Sequence, residues 1–346
     1  MEPATCQEEI VDRLIMNQNR ILVTGAAGFI GASLMSTFKN FGIECLGVDN
    51  FSNYYEIGMK HERIKSLKID SLVTECDITK KDDLVKIVHQ FRPTVIINLA
   101  AQGGVRASKK DPSPYILSNQ QGFLNVLEIA ENFEVDKFIY ASSSSVYGEN
   151  SEAPFSEIAK LEMPKSLYAL SKMSNEIISR YFPEGKTKRI GLRFFTVYGP
   201  WGRPDMAMFQ LLASAKLKEV FNFTANPEVK RDFTFIDDVT LLIRELVELE
   251  SSLINFDILN VCGSHPYSMG ELFQILKNEK IYINILQQTQ DPLDLKLTNG
   301  SINRIVELKL PIPATSLITG VRNTQEWIAI TPEKLLRSWY EFSNKK

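Results

Sequence analysis

Through the first half of the chain, short apolar runs alternate with amphipathic stretches at helical spacing. Arg20–Thr24 reads Arg-Ile-Leu-Val-Thr and stops at a glycine, the pattern of a strand buried on both faces. Phe29–Phe41 is then patterned as a helix, Ile43–Val48 as a strand, Gly58–Leu67 as a helix, Leu72–Glu75 as a short strand and Lys81–Gln90 as the helix after it. Val95–Leu99, Lys137–Ala141 and Arg189–Phe194 continue the strands, separated by longer helical patterns at Pro114–Asn132 and Ser166–Tyr181. After Thr196 the alternation breaks into shorter pieces punctuated by proline, at Pro200, Pro204, Pro227 and Pro266 among others. Asp257–Val261 is strand-like and is expected to rejoin the first sheet. Strands alternating with helices predict an α/β fold, a doubly wound parallel sheet with right-handed crossovers, followed by a smaller mixed α/β region.

The junction between the first strand and the first helix carries chemistry. Thr24-Gly25-Ala26-Ala27-Gly28-Phe29-Ile30-Gly31 has the spacing in which one glycine makes the tight turn, one admits a pyrophosphate to the backbone and one packs helix on strand. The phosphates of a dinucleotide would rest on the positive helix N-terminus. The second strand ends Gly47-Val48-Asp49-Asn50, where Asp49 is placed to accept the adenine ribose hydroxyls. No arginine adjoins Asp49 to welcome a 2′-phosphate, so NAD is favoured over NADP. Asp77 and Ile78 follow the third strand at the expected adenine edge, and Ala100, Ala101 and Gln102 follow the fourth. All four segments fall at carboxyl ends of strands, where a doubly wound sheet binds its ligand. The fold class is thus Rossmann-like. The expected division is an N-terminal extension over 1–18 with a short helix near Glu8–Met16, an NAD-binding domain over 19–196, and a substrate domain over 197–346 from which 233–265 returns to the main sheet.

Tyr168 and Lys172 lie four residues apart, one helical turn, on the pattern Ser166–Tyr181. A positive charge beside a phenol favours the phenolate and is expected to bring Tyr168 below its ordinary value near ~10. Such a group can take a proton from a sugar hydroxyl. The serine run Ser142-Ser143-Ser144-Ser145 falls between the glycine loop and this pair.

Composition narrows the classes. The chain has 346 residues, 44% hydrophobic and 23% charged, with a formal net charge of -3, which gives no bulk attraction for nucleic acid. Cys6, Cys45, Cys76 and Cys262 are scattered, and His61, His89 and His265 share no ligand spacing with them. No metal site, reduced thiols and a cytoplasmic location are therefore expected. Neither a signal peptide nor an apolar run long enough for a membrane span is visible.

Together the glycine loop, the serine run and the Tyr168/Lys172 pair resemble the extended short-chain dehydrogenase/reductase family, in its nucleotide-sugar epimerase and dehydratase group, over roughly residues 20–340. Asp49-Asn50-Phe51-Ser52-Asn53-Tyr54-Tyr55, Gly103-Gly104-Val105-Arg106 and the long run Leu192–Ala207 are most similar to the branch that acts at C4 of UDP-glucuronate. The resemblance implies a catalytic triad of Ser143, Tyr168 and Lys172. It implies NAD held by Gly25, Gly28, Phe29, Ile30, Gly31, Asp49, Asn50, Asp77, Ile78, Ala100, Ala101, Gln102 and Asn119, together with Tyr168 and Lys172. A UDP-hexuronate substrate would meet Arg106, Ser144, Thr196 and Arg203, with Arg231 on its diphosphate. Related dehydratases place an acidic pair just after the catalytic serine, and decarboxylating relatives a glutamate before the valine. Here those positions are Ser144 and Ser145, so hydride movement without elimination is implied. The alternatives are a 4-epimerase of a neutral UDP-hexose, a dehydratase or decarboxylase, and a non-catalytic dinucleotide-binding regulator. A homodimer packed through the helices at Pro114–Asn132 and Ser166–Tyr181 is also implied.

Overall fold

The computed structural model describes residues 19–148, 152–183, 185–223, 226–249, 254–287 and 295–344. The extension over 1–18 with the helix expected near Glu8–Met16 lies outside the described residues.

A seven-stranded sheet organises the chain. Its strands are β1 (Ile21–Thr24), β2 (Cys45–Asp49), β3 (Val73–Glu75), β4 (Val95–Asn98), β5 (Lys137–Ser143), β6 (Lys188–Phe194) and β10 (Phe256–Val261), in the spatial order β10-β6-β5-β4-β1-β2-β3. Every neighbouring pair is parallel. The order reverses between β1 and β4, so the crevice of a doubly wound sheet opens at that point. Ile21, Leu22 and Val23 of β1 and Val95, Ile96 and Ile97 of β4 are fully buried. Strands with helices over both faces need such unbroken apolar runs. Each of these side chains contributes about 1.5–3 kcal/mol of burial.

The crossovers are helical: α1 (Phe29–Asn40), α2 (Ile57–Ser66), α3 (Lys81–Phe91), α4 (Phe123–Asn132) and α5 (Leu167–Tyr181). Glu56 caps α2 by accepting from the Gly58 and Met59 amides, and Ser166 caps α5 by accepting from the Ala169 amide. The sequence pattern reads Pro114–Asn132 as one regular helix. The structure instead has a helical turn at Ser113–Ile116, a π-helical stretch at Leu117–Gly122 and then α4. The extra residue per turn leaves Asn119 buried, and hydrophobic periodicity carries no mark of it.

The later elements form two small sheets. In one, β9 (Lys230–Phe235) lies between β7 (Thr196–Tyr198), parallel to it, and β11 (Pro266–Ser268), antiparallel to it. In the other, β8 (Val220–Phe223) pairs with β12 (Asn284–Gln287). Helix α6 (Ile236–Glu248) runs from β9 and packs on α1, and the chain then enters β10. Its last described helix is α7 (Glu333–Asn344). Trp201, Trp327 and Trp339 cluster with ring centroids 5.1, 5.9 and 6.5 Å apart. Arg63 of α2, fully buried, ties this region to the glycine loop by donating to the Trp201 and Ala27 carbonyl oxygens.

Candidate active site

The crevice at the end of β1 is shaped by backbone. Gly25 has φ +71°, and a Cβ there would lie 2.7 Å from the Ala100 nitrogen. A Cβ on Gly31 would lie 2.2 Å from the Gly25 carbonyl oxygen, so α1 can approach the turn only with glycine at that position. Thr24 Oγ1 donates to Asn98 Oδ1 at 2.5 Å and accepts from the Ala100 amide at 3.1 Å, which locks the ends of β1 and β4 together.

Asp49 ends β2 with a well-used carboxylate. Oδ2 accepts from the Ala27 amide at 3.1 Å, while Oδ1 accepts from the Phe51 amide at 2.7 Å and from Lys60 Nζ at 3.1 Å. A carboxylate has about four acceptor sites, so one remains on Oδ2 for a ribose hydroxyl. Lys60 sits on α2 and lines the same cleft, a cation that the sequence pattern does not reveal. It is neutralised by Asp49, with both side chains almost wholly buried, and so leaves no unpaired charge for a 2′-phosphate.

The cleft runs from this end to Ser143, Tyr168 and Lys172, all of which line it. Strand β5 delivers Ser143 and α5 delivers the other two. Tyr168 and Ser143 face the same cleft. Lys172 Nζ donates to the Ala141 carbonyl oxygen at 2.8 Å. Burial lowers the Lys172 ammonium to about 8. Burial also raises the Tyr168 phenol; the nearby Ser143 hydroxyl and the Arg203 charge oppose this without reversing it. The expectation that Lys172 draws Tyr168 below its ordinary value is not met by the protein's own groups. Both are desolvated, and burial outweighs the neighbouring charge.

A second cleft adjoins the first, and Met206 lines both. Arg106, Thr196 and Arg231 line the second, with Phe221 and Phe223 from β8 as apolar walls. Arg231 Nη1 donates to the Leu295 carbonyl oxygen at 2.7 Å. Arg203 faces the first cleft and Asp205 the second. They form a two-point pair at 3.0 and 2.6 Å, and Tyr54 Oη donates to Asp205 at 3.0 Å. Burial opposes the Asp205 charge, but Arg203 holds its carboxyl below the usual value. Arg203 therefore does not stand as an isolated positive charge. Its guanidinium is anchored by Asp205, with Nη1 turned toward Gly103.

The glycine-loop positions Gly25, Gly28, Phe29, Ile30 and Gly31 line the first cleft, as do Asp49, Asn50, Ile78, Ala100, Ala101 and Gln102. Three expected residues stand elsewhere. Asp77 accepts from Asn50 and the Thr79 amide and does not line the cleft. Asn119 lies behind the Gln102 loop, accepting from the Gln102 amide at 2.7 Å and donating to its carbonyl oxygen and to Ser171. Both support the site from the rear. Ser144 lines neither cleft. The sequence reading passes over Lys60 and Asp205. The Leu192–Ala207 run contains Asp205, but its partner Arg203 is two residues away in a loop with no periodicity to pair them. Among the described residues no group of acidic, histidine and cysteine side chains is arranged to hold a metal.

The sequence pattern of the family described as NAD dependent epimerase/dehydratase matches residues 21–262. A Staphylococcus aureus protein named CapI is 34% identical over 334 residues, spanning 89% of this chain and 98% of that protein. UDP-glucuronate 4-epimerase 4 of Arabidopsis thaliana is 35% identical over 327 residues, 89% of this chain and 74% of its own length. The crystal structure of UDP-glucuronic acid 4-epimerase from Bacillus cereus, in complex with UDP-glucuronic acid and NAD, superposes with a TM-score of 0.82 at 32% identity, covering 90% of this chain and 99% of that one.

Proposed function

The chain belongs to the NAD dependent epimerase/dehydratase family, and on that premise we propose that it interconverts UDP-glucuronate and UDP-galacturonate by NAD-dependent 4-epimerisation. One observation carries the choice of reaction. Among the described residues lining the first cleft the single carboxylate is Asp49, at the end away from Tyr168 and ion-paired with Lys60. A dehydratase needs a further acid or base beside the sugar, and the positions after Ser143 are the hydroxyls Ser144 and Ser145.

The glycine cradle, the open acceptor site on Asp49 and the small residues Ala100 and Ala101 fit an adenine dinucleotide. NAD held there would supply a hydride acceptor for one half of the reaction and a donor for the other, and its oxidised form would add positive charge to the cleft. Tyr168 takes the proton of the sugar 4-hydroxyl as C4 loses its hydride, which leaves a 4-keto sugar. The sugar turns to present its other face. Tyr168 returns the proton to oxygen as C4 regains the hydride, and the configuration is inverted. Ser143 and Lys172 hold the phenol in place and support its charge. In the second cleft Arg231 meets the diphosphate; Thr196 and Arg106 there, with the anchored Arg203 from the first cleft, receive the C6 carboxylate.

A homodimer belongs to the same reading. Leu170, Ile177 and Tyr181 are exposed along one face of α5, beside exposed Ile116 and Leu117. Phe123, Val126, Leu127 and Ile129 of α4 face the sheet instead. The compartment proposed is the cytoplasm, supported by the unpaired cysteines Cys45, Cys76 and Cys262. No helix among the described residues is long and apolar enough to cross a membrane.

The test is product analysis with purified protein and each UDP-hexuronate. Interconversion of the two without added NADH, abolished in Tyr168→Phe, is the expected result. Turnover of UDP-galactose alone, loss of water, or release of carbon dioxide as the main outcome would refute the assignment.

A further inference from the structure

We propose that Lys60 sets the choice of dinucleotide: paired with Asp49 it is lost to a 2′-phosphate and the cleft takes NAD, and once the Asp49 charge is removed the same ammonium receives a 2′-phosphate and admits NADP. The inference rests on NAD occupying the first cleft and not on which sugar nucleotide is turned over. No arginine adjoins Asp49 in the sequence, yet the fold brings a cation to it. Lys60, on α2, donates from Nζ to Asp49 Oδ1 at 3.1 Å and to Ser52 Oγ at 3.3 Å. Lys60 is 5% exposed and Asp49 6%, and both line the cleft with Ser52. An ammonium has three donors, so one N–H of Lys60 is left over among the described residues.

The other cations around this cleft are committed. Arg63, further along α2, is fully buried and donates to the Ala27 and Trp201 carbonyl oxygens and to the Tyr55 hydroxyl. Lys172 and Arg203 line the cleft, but Lys172 donates to the Ala141 carbonyl oxygen and Arg203 is held by Asp205. Lys60 is thus the cation beside the proposed ribose acceptor. Charges in a buried pair are poorly screened, and removing one partner leaves the other uncompensated. Without the Asp49 carboxylate, Lys60 stands unbalanced, and a 2′-phosphate supplies the missing negative charge. Without Lys60, the Asp49 charge stands unbalanced and repels a 2′-phosphate more strongly than the pair does. The two losses therefore push selectivity in opposite directions, whereas a pair that only pinned α2 to β2 would weaken both dinucleotides alike.

The experiment is a competition. Each protein is equilibrated with NAD and an excess of NADP, the folded fraction is isolated by gel filtration, and the bound dinucleotides are released and counted by mass spectrometry. Asp49→Asn is expected to move the bound ratio about 100-fold toward NADP, the worth of one or two charge-assisted hydrogen bonds. Adding Lys60→Gln to it gives back about tenfold of that gain, and adding Lys60→Arg instead, which keeps the charge, preserves it. Lys60→Gln alone moves the ratio about tenfold the other way, toward NAD. An equal gain in Asp49→Asn with and without Lys60 would overturn the proposal. So would a parent-like ratio in Lys60→Gln, the variant that decides the matter if Asp49→Asn does not fold. The count needs no sugar. A protein that fails to epimerise UDP-hexuronates would thus count against the functional reading while leaving this measurement decisive for Lys60.

Discussion

The two clefts that meet at Met206 are built by different means. The first cleft is shaped at the end of β1 by backbone that only glycine fits, with the strand ends locked by Thr24 and Asn98 and a loop clamped from behind by Asn119. The second cleft, where we propose the sugar nucleotide binds, is made of side chains from Arg106, Thr196, β8, β9 and α7, brought together by elements far apart in sequence. Backbone cannot be exchanged residue by residue, whereas side chains can. The first cleft is therefore suited to hold an unchanging cofactor, and the second to set which sugar nucleotide is accepted.

The sharpest break falls on the backbone side. Gly31→Val adds a Cβ 2.2 Å from the Gly25 carbonyl oxygen and should abolish NAD retention altogether, measured by the absorbance and mass of cofactor released on denaturation. Next comes the chemistry shared by both clefts. Tyr168→Phe keeps the ring and removes the proton carrier, so kcat should fall by roughly 10²–10⁴-fold with NAD still bound. The side-chain cleft should respond through binding instead. Arg231→Ala is expected to raise KM for the UDP-hexuronate by about 10- to 100-fold, the worth of a charge-assisted hydrogen bond or two, without loss of NAD. If Arg231→Ala released the cofactor, or Gly31→Val kept it, the division between the clefts would be wrong.

Two smaller effects lie outside the clefts or beneath them. Ile177→Glu together with Leu170→Glu places charge on the exposed face of α5 and should convert the proposed dimer to monomer in sedimentation, with little change in NAD content. Lys172 supplies a pH signature. Its folded value is lowered to about 8, against about 10.4 in the unfolded chain, so between these values the unfolded state binds a proton that the folded state does not. Stability of the cofactor-free protein should then rise with pH from about 8 to 10.4. Urea unfolding at the two ends should show this increment shrinking in Lys172→Met. An identical increment in both proteins would place the effect on other groups.

The same contrast explains how much was readable from sequence. The glycine loop, Asp49 at the end of β2 and the Tyr168/Lys172 spacing are local patterns, and the structure brings all of them to one cleft. Even the return of Asp257–Val261 to the sheet followed from its apolar run. Lys60 and Asp205 were not legible, because their meaning lies in partners brought near by tertiary folding. The π-helical turn that buries Asn119 has no periodicity of its own at six residues. The electrostatics of Tyr168 ran opposite to the local expectation for the same reason. A lysine one turn away is visible in the sequence, and the burial that raises the phenol is not.

The most direct measurement follows the hydrogen on C4. Purified protein is incubated with UDP-glucuronate deuterated at C4, in ordinary water and without added NADH, and the UDP-galacturonate formed is examined by NMR and mass spectrometry. Deuterium retained at C4 of the inverted product is the predicted result, since the hydride leaves and returns within one site. Inverted product carrying protium at C4, or no inverted product while NAD remains bound, would contradict the account.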